Sequence, residues 1–166
     1  VGEDGETHHG LLDVAFMNTI PNITVYSPCC FRSLEADINN AFYADKSSVA
    51  IRYPRGAQKE NVFKLNYPCI DYATYGNTDA KTVIVTYGRI SSEAIDATEE
   101  LNKKGTDVLL VVLNRIKPIP EQIYAMLKDK KRIFFFEEGM KSGGIGEKLG
   151  SVLMAMGVTA KYIITA

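Results

Sequence analysis

Two kinds of apolar run alternate along the chain: short, nearly continuous stretches rich in Val and Ile, and longer stretches in which apolar residues recur every three or four positions. The first kind reads as buried strand and the second as helix. Residues 23–27 form a short predicted strand, followed after Pro28 by a helix from Phe31 to about Ala44 whose stripe is Leu34, Ile38, Ala41 and Phe42. A second strand over 48–53 stops at Pro54, which has no amide hydrogen to extend a ladder. Further along, strands are predicted at 82–86, 108–113, 132–137 and 160–164, and helices at 91–104, 120–128 and 145–156. Gly105 is placed to cap the 91–104 helix. Helical crossovers between nearly all-apolar strands predict an α/β fold with mostly parallel sheets flanked by helices.

Residues 57–80 interrupt this alternation with Pro68, Gly76 and the polar run Asn77 to Asp79, and they show no sustained period. They are expected to be a linker between two units, 1–56 and 81–166. Nineteen basic against twenty acidic residues give a net charge of −1. No positive excess is available to hold a polyanion, so nucleic acid is not an expected partner. The apolar runs are far shorter than a membrane span requires, and no membrane partner is expected either. Three cysteines, with Cys29 and Cys30 adjacent, make a poor disulfide framework and suit a reducing cytoplasm. The vicinal pair is read as small buried hydrophobes or as a redox or metal site.

Polar chemistry is concentrated in three places. The opening, Gly2 to Gly10, holds both histidines and three carboxylates. Histidine can pass a proton near neutral pH and a carboxylate can orient a hydroxyl, so a catalytic loop and a solvated loop both fit. Metal binding there is disfavoured, because adjacent histidines do not easily converge on one ion. Arg52-Tyr53-Pro54-Arg55-Gly56 ends a strand with two guanidinium groups on a stiff turn, a pattern that fits anion binding or a surface ion pair. Gly143-Gly144-Ile145-Gly146 precedes a helix and fits either a loose dinucleotide loop or a tight turn that needs glycine.

Taken together, Asp4-Gly5-Glu6-Thr7-His8, Gly10, Ile20-Pro21-Asn22, Ser27-Pro28 and Arg52-Tyr53-Pro54-Arg55-Gly56 resemble the thiamine-diphosphate-dependent transketolase superfamily in order and spacing. In that resemblance residues 1–56 are the last part of a pyrimidine-binding domain and 81–166 most of a C-terminal domain. The Arg-Tyr-Pro-Arg-Gly ending favours the branch in which pyruvate, after losing carbon dioxide, is joined to glyceraldehyde 3-phosphate. Alternatives are transketolase itself, with a ketose donor, and a non-catalytic α/β binding module.

The resemblance implies that His8 assists proton transfer at the reacting carbonyl, that Asp4 hydrogen-bonds a substrate hydroxyl, and that Arg52 grips the phosphate with Arg55 sharing the task or bracing the turn. It also implies thiamine diphosphate and magnesium as cofactors and a homodimer as the assembly. His9 departs from the pattern by standing where the family has glutamine, and Cys29-Cys30-Phe31-Arg32 departs from the acidic residues that follow Ser-Pro. The glutamate that activates the thiamine ring and the Gly-Asp-Gly site for magnesium and diphosphate have no counterpart in these residues and are expected upstream. The 166 residues are therefore expected to be a piece of a longer protein, inert by themselves.

Overall fold

A computed structural model of the chain describes residues 9–67 and 69–166. The Asp4 and His8 positions lie outside the described residues. Two sheets organise the rest. In the first, β1 (Ile23–Tyr26) pairs in parallel with β2 (Ser48–Ile51) on one side and antiparallel with β6 (Arg115–Lys117) on the other. The second has the order β3 (Tyr72–Gly76), β5 (Val108–Leu113), β4 (Thr82–Tyr87), β7 (Arg132–Phe136), β8 (Lys161–Thr165). All its pairings are parallel except that of the edge strand β3 with β5. The α/β fold with mostly parallel pairing is thus as expected, and each sheet carries one antiparallel strand.

The continuous apolar runs are explained by burial on both faces. Every residue of β4 and β5 is buried. Successive side chains point to opposite faces, so Val83, Val85, Leu109 and Val111 pack with Ile123 and Leu127 of α4 (Glu121–Leu127) and with Leu149 and Leu153 of α5 (Ile145–Ala155). Ile84, Val108, Leu110 and Val112 instead meet Ile95 of α3 (Ser91–Lys103) together with Val62 and Leu65. Gly105, at φ +81, lets the chain leave α3 as the Thr106 amide returns to the Leu101 carbonyl at 2.9 Å.

Three features differ from the sequence expectation. The 57–80 stretch contains a 3-10 turn at Glu60–Lys64 and the strand β3. Tyr72 and Ala73 of β3 contribute to opposite cores, so the strand shows no polar alternation. A helix α1 (Asp13–Thr19) precedes β1. Finally, β6 crosses from the second half of the chain into the first sheet, and Val14 and Val25 belong to the same apolar core as β4 and β5. Asn114, just before β6, fastens this crossing: its carbonyl accepts from the Ser27 amide at 2.7 Å, and its Nδ2 donates to Asp37 Oδ1 at 2.6 Å. Asp37 lies on α2 (Phe31–Tyr43).

Candidate active site

Arg52 follows β2, Gly88 and Arg89 follow β4, and Glu137 and Glu138 follow β7, so the loops at the carboxyl ends of three strands meet. Ligands of open α/β sheets commonly sit at that end. A cavity of about 670 Å³ opens there. His9 and Gly10 line it together with Asp13, Arg52, Arg55, Arg89, Glu137 and Glu138. The end of the polar opening and the dibasic strand end, two separate clusters in the sequence, therefore share one cavity.

Arg52 is built into the wall of this cavity. The Arg52 amide still donates to the Tyr26 carbonyl at 2.9 Å, although the strand itself ends at Ile51, two residues short of the expected 48–53. The Arg52 guanidinium then turns back across the cavity. Its Nε donates to both oxygens of Asp13, at 3.2 and 3.1 Å, and its Nη2 to the carbonyls of Gly10 and Glu138, at 3.5 and 3.3 Å. The two side chains are only 17% and 22% exposed. Arg52 thus ties three segments of chain together with most of its donors. Arg55, by contrast, is exposed at the turn and lines both this cavity and a neighbouring one of about 500 Å³. Arg89 pairs with Glu138 between the two cavities.

The cavity floor is Glu137, 4% exposed. Its carboxylate accepts from the Tyr87 hydroxyl at 2.9 Å and from the amides of Ile145 and Gly146, at 3.0 and 3.1 Å, at the start of α5. Burial raises the Glu137 carboxyl above its ordinary range, while the Tyr87 hydroxyl and the two amides oppose that rise. Burial and the adjacent Glu137 charge push the Tyr87 phenol well up.

This arrangement settles the glycine loop in favour of a tight turn. A Cβ on Gly144 would lie 2.5 Å from the Met140 carbonyl oxygen and 2.6 Å from Glu137 Oε1. The amides that a dinucleotide phosphate would need are already given to Glu137.

The comparisons with known proteins agree with this layout. Residues 71–163 match the transketolase C-terminal domain family, and residues 1–60 match the transketolase pyrimidine binding domain family. The chain belongs to the transketolase family. Among relatives, a 1-deoxy-D-xylulose-5-phosphate synthase of Clostridium perfringens is 32% identical over 100% of this chain. One of Helicobacter pylori is 30% identical over 90%. The chain spans 27% of the length of the first and 24% of the second. A solved structure described as a split-gene transketolase, inactive beta4 tetramer, superposes with a TM-score of 0.67 at 19% identity, covering 93% of this chain and 51% of that one. It shows the shared fold.

Within the transketolase-family layout, the described residues bring together His9, Arg52 and Arg55 and add Asp13, Tyr87, Arg89, Glu137 and Glu138, which the sequence did not single out. Glu137-Glu138-Gly139 and Tyr87-Gly88-Arg89 each sit just past an apolar strand, and that position was the available signal. Among the described residues no group of three or more His, Cys, Asp or Glu side chains could hold a metal ion. The described residues do not fit the magnesium and diphosphate that the sequence resemblance implies.

Proposed function

We propose that this chain is the acceptor side of a thiamine-diphosphate-dependent transferase that joins pyruvate, after loss of carbon dioxide, to glyceraldehyde 3-phosphate, giving 1-deoxy-D-xylulose 5-phosphate. One observation carries this reading: the segment that directly follows the Asp4 to His8 motif and the dibasic turn Arg52 to Arg55 line the same cavity. A proton-handling loop facing guanidinium groups is what a phosphorylated aldehyde requires. The synthase names of the relatives support the same choice of donor and acceptor.

In this reading residues 1–56 and 81–166 are parts of two domains of a longer, homodimeric cytoplasmic protein, and thiamine diphosphate and magnesium are held by its other residues. His8 assists proton transfer at the acceptor carbonyl and Asp4 holds a substrate hydroxyl. Arg55 takes the phosphate, because it is exposed to the cavity. Arg52 adds positive charge from the wall while its Nε and Nη2 hold Asp13, Gly10 and Glu138 in place. Binding energy from the phosphate thereby orients the aldehyde carbon for attack.

The test is carbon dioxide release from pyruvate by the full-length protein with thiamine diphosphate and magnesium, with and without glyceraldehyde 3-phosphate. Release stimulated by the aldehyde phosphate supports the proposal. No release, with turnover of a ketose donor instead, overturns the choice of donor.

A further inference from the structure

A second cluster of reactive groups lies beside the smaller cavity, outside the site described above. Cys30 is the N-cap of α2, and its side chain accepts from the Ser33 amide in a capping box. The Tyr67 hydroxyl lies 3.3 Å from Cys30 Sγ and 3.6 Å from Cys29 Sγ, and the Ser33 hydroxyl lies 3.4 Å from Cys30 Sγ. Tyr67 has one proton to give. Given to the nearer Cys30 sulfur, it joins the proton of the Cys29 thiol there, so two donors converge on Cys30. The Arg32 guanidinium, 5.0 Å from the Tyr67 ring centroid, makes that phenol a better donor.

Helix N-terminal amides and neighbouring donors favour thiolate over thiol. The Cys29 thiol first, then Ser33 and Tyr67, lower the Cys30 thiol against the opposing effect of burial. Cys29 is pushed up, by donating to Cys30 and by burial. Cys30 lines the 500 Å³ cavity, whose apolar wall includes Phe31, Leu34 and Val62. Its rim carries Arg55, Lys59 and Arg89, none of them without a partner: Lys59 pairs with Glu93 at 2.6 Å and Arg89 with Glu138.

We propose that Cys30 is a nucleophilic thiolate that exchanges with small disulfides bearing carboxylates, forming a mixed disulfide seated in this cavity. The Cys30 sulfur attacks one sulfur of the disulfide, the S–S bond breaks, and the other half leaves as its thiolate. The bond count and charge balance without a further oxidant. The carboxylates of the adduct meet the basic rim. Cys29 does not displace the adduct, because adjacent cysteines close only a strained ring and the Cys29 thiol keeps its proton. The product is an adduct rather than a Cys29–Cys30 bond. This assignment is independent of the transferase reading.

The charged groups facing Cys30 are Arg32 and Asp37 on its own helix, Tyr67 and Cys29 beside it, and Arg55, Lys59, Arg89 and Glu93 around the cavity. The experiment exposes the full-length protein to oxidised glutathione between pH 6 and pH 8 and maps adducts by peptide mass spectrometry. One glutathionyl group is expected on Cys30, with a rate changing less than about threefold over that range, whereas a free thiol that keeps its proton at neutral pH slows about tenfold per unit as the pH falls. Tyr67→Phe steepens the pH dependence at Cys30, while Cys29 and Ser33 still favour its thiolate. Cys30→Ser, which keeps a good helix cap, abolishes the adduct. Parallel pH profiles for Cys30 and Cys69, earlier labelling of Cys69, or a Cys29–Cys30 disulfide as the product would each overturn the proposal.

Discussion

The Arg52 guanidinium and the Asp13 carboxylate form a bidentate contact through one nitrogen, Nε at 3.2 and 3.1 Å from the two oxygens, and so pin the start of α1 to the end of β2. Both groups are mostly shielded from water, which makes loss of one partner costlier than in an exposed pair. Arg52→Ala leaves Asp13 and two carbonyls without their donor. We expect it to destabilise the protein by about 1–3 kcal/mol in urea denaturation. Arg52→Lys recovers little, because an ammonium cannot span Asp13, Gly10 and Glu138 with the geometry of a guanidinium. Equal stability of Arg52→Ala and the parent protein would show that the contact does not brace the fold.

Arg55 behaves differently, because it lies exposed on the cavity rim. In the full-length protein Arg55→Ala should raise KM for glyceraldehyde 3-phosphate about 10- to 100-fold, the loss of one charge-assisted phosphate contact. KM for pyruvate should not move. An equal rise in both KM values would remove the phosphate role.

Much of the fold was legible because burial on both faces leaves a plain record. The run Val108 to Leu113 is apolar throughout because it lies between α3 on one face and α4 and α5 on the other. β6 left no such record. Of its three residues only Ile116 is apolar, and it is a strand because β1, from the other end of the chain, offers it a ladder. β3 was hidden for a related reason: five residues flanked by Asp71 and Asn77 form an edge strand only once β5 lies beside them. At the site, the basic turn announced itself by composition. Asp13 did not, because its partner stands 39 positions away and a lone aspartate at a helix start reads as a cap. Glu137 was overlooked because a carboxylate after a strand looks solvent-facing until α5 closes over it.

The turn around Glu137 should tolerate little change. Gly144→Ala places a methyl group against a backbone carbonyl and a carboxylate that are both fixed, and should cost about 1–3 kcal/mol. Glu137→Gln sets an amide donor among the Tyr87 hydroxyl and the Ile145 and Gly146 amides, which are donors already. A loss of about 1–3 kcal/mol is expected there too. Tyr87→Phe should cost less, since Glu137 keeps both amides. Urea denaturation of the three variants checks the order. A Glu137→Gln protein as stable as its parent would mean that the carboxylate is not what holds the start of α5.

Asp37 sets a pH dependence of the fold. It is fully buried where α2 meets the crossing into β6, and it accepts one bond from Asn114, while its Oδ2 has no hydrogen-bond partner among the described residues. Burial first, and then the charges of Asp71 and Cys30, push its carboxyl from 3.8 up to about 7, with the Asn114 bond opposing. A raised carboxyl holds its proton more tightly folded than unfolded, so between about pH 4 and pH 7 folding takes up a proton and stability falls as pH rises. Above about pH 7 the Asp37 contribution is constant. Asp37→Asn keeps the shape and the acceptor for Asn114 but cannot ionise. Relative to the parent, this variant should gain stability from pH 5 to pH 8, because the parent loses it over that interval while the asparagine protein does not. Denaturation midpoints of both proteins at pH 5, 6, 7 and 8 measure the difference. Parallel curves would show that Asp37 is already ionised in the folded protein at pH 5 and that some other donor reaches its Oδ2.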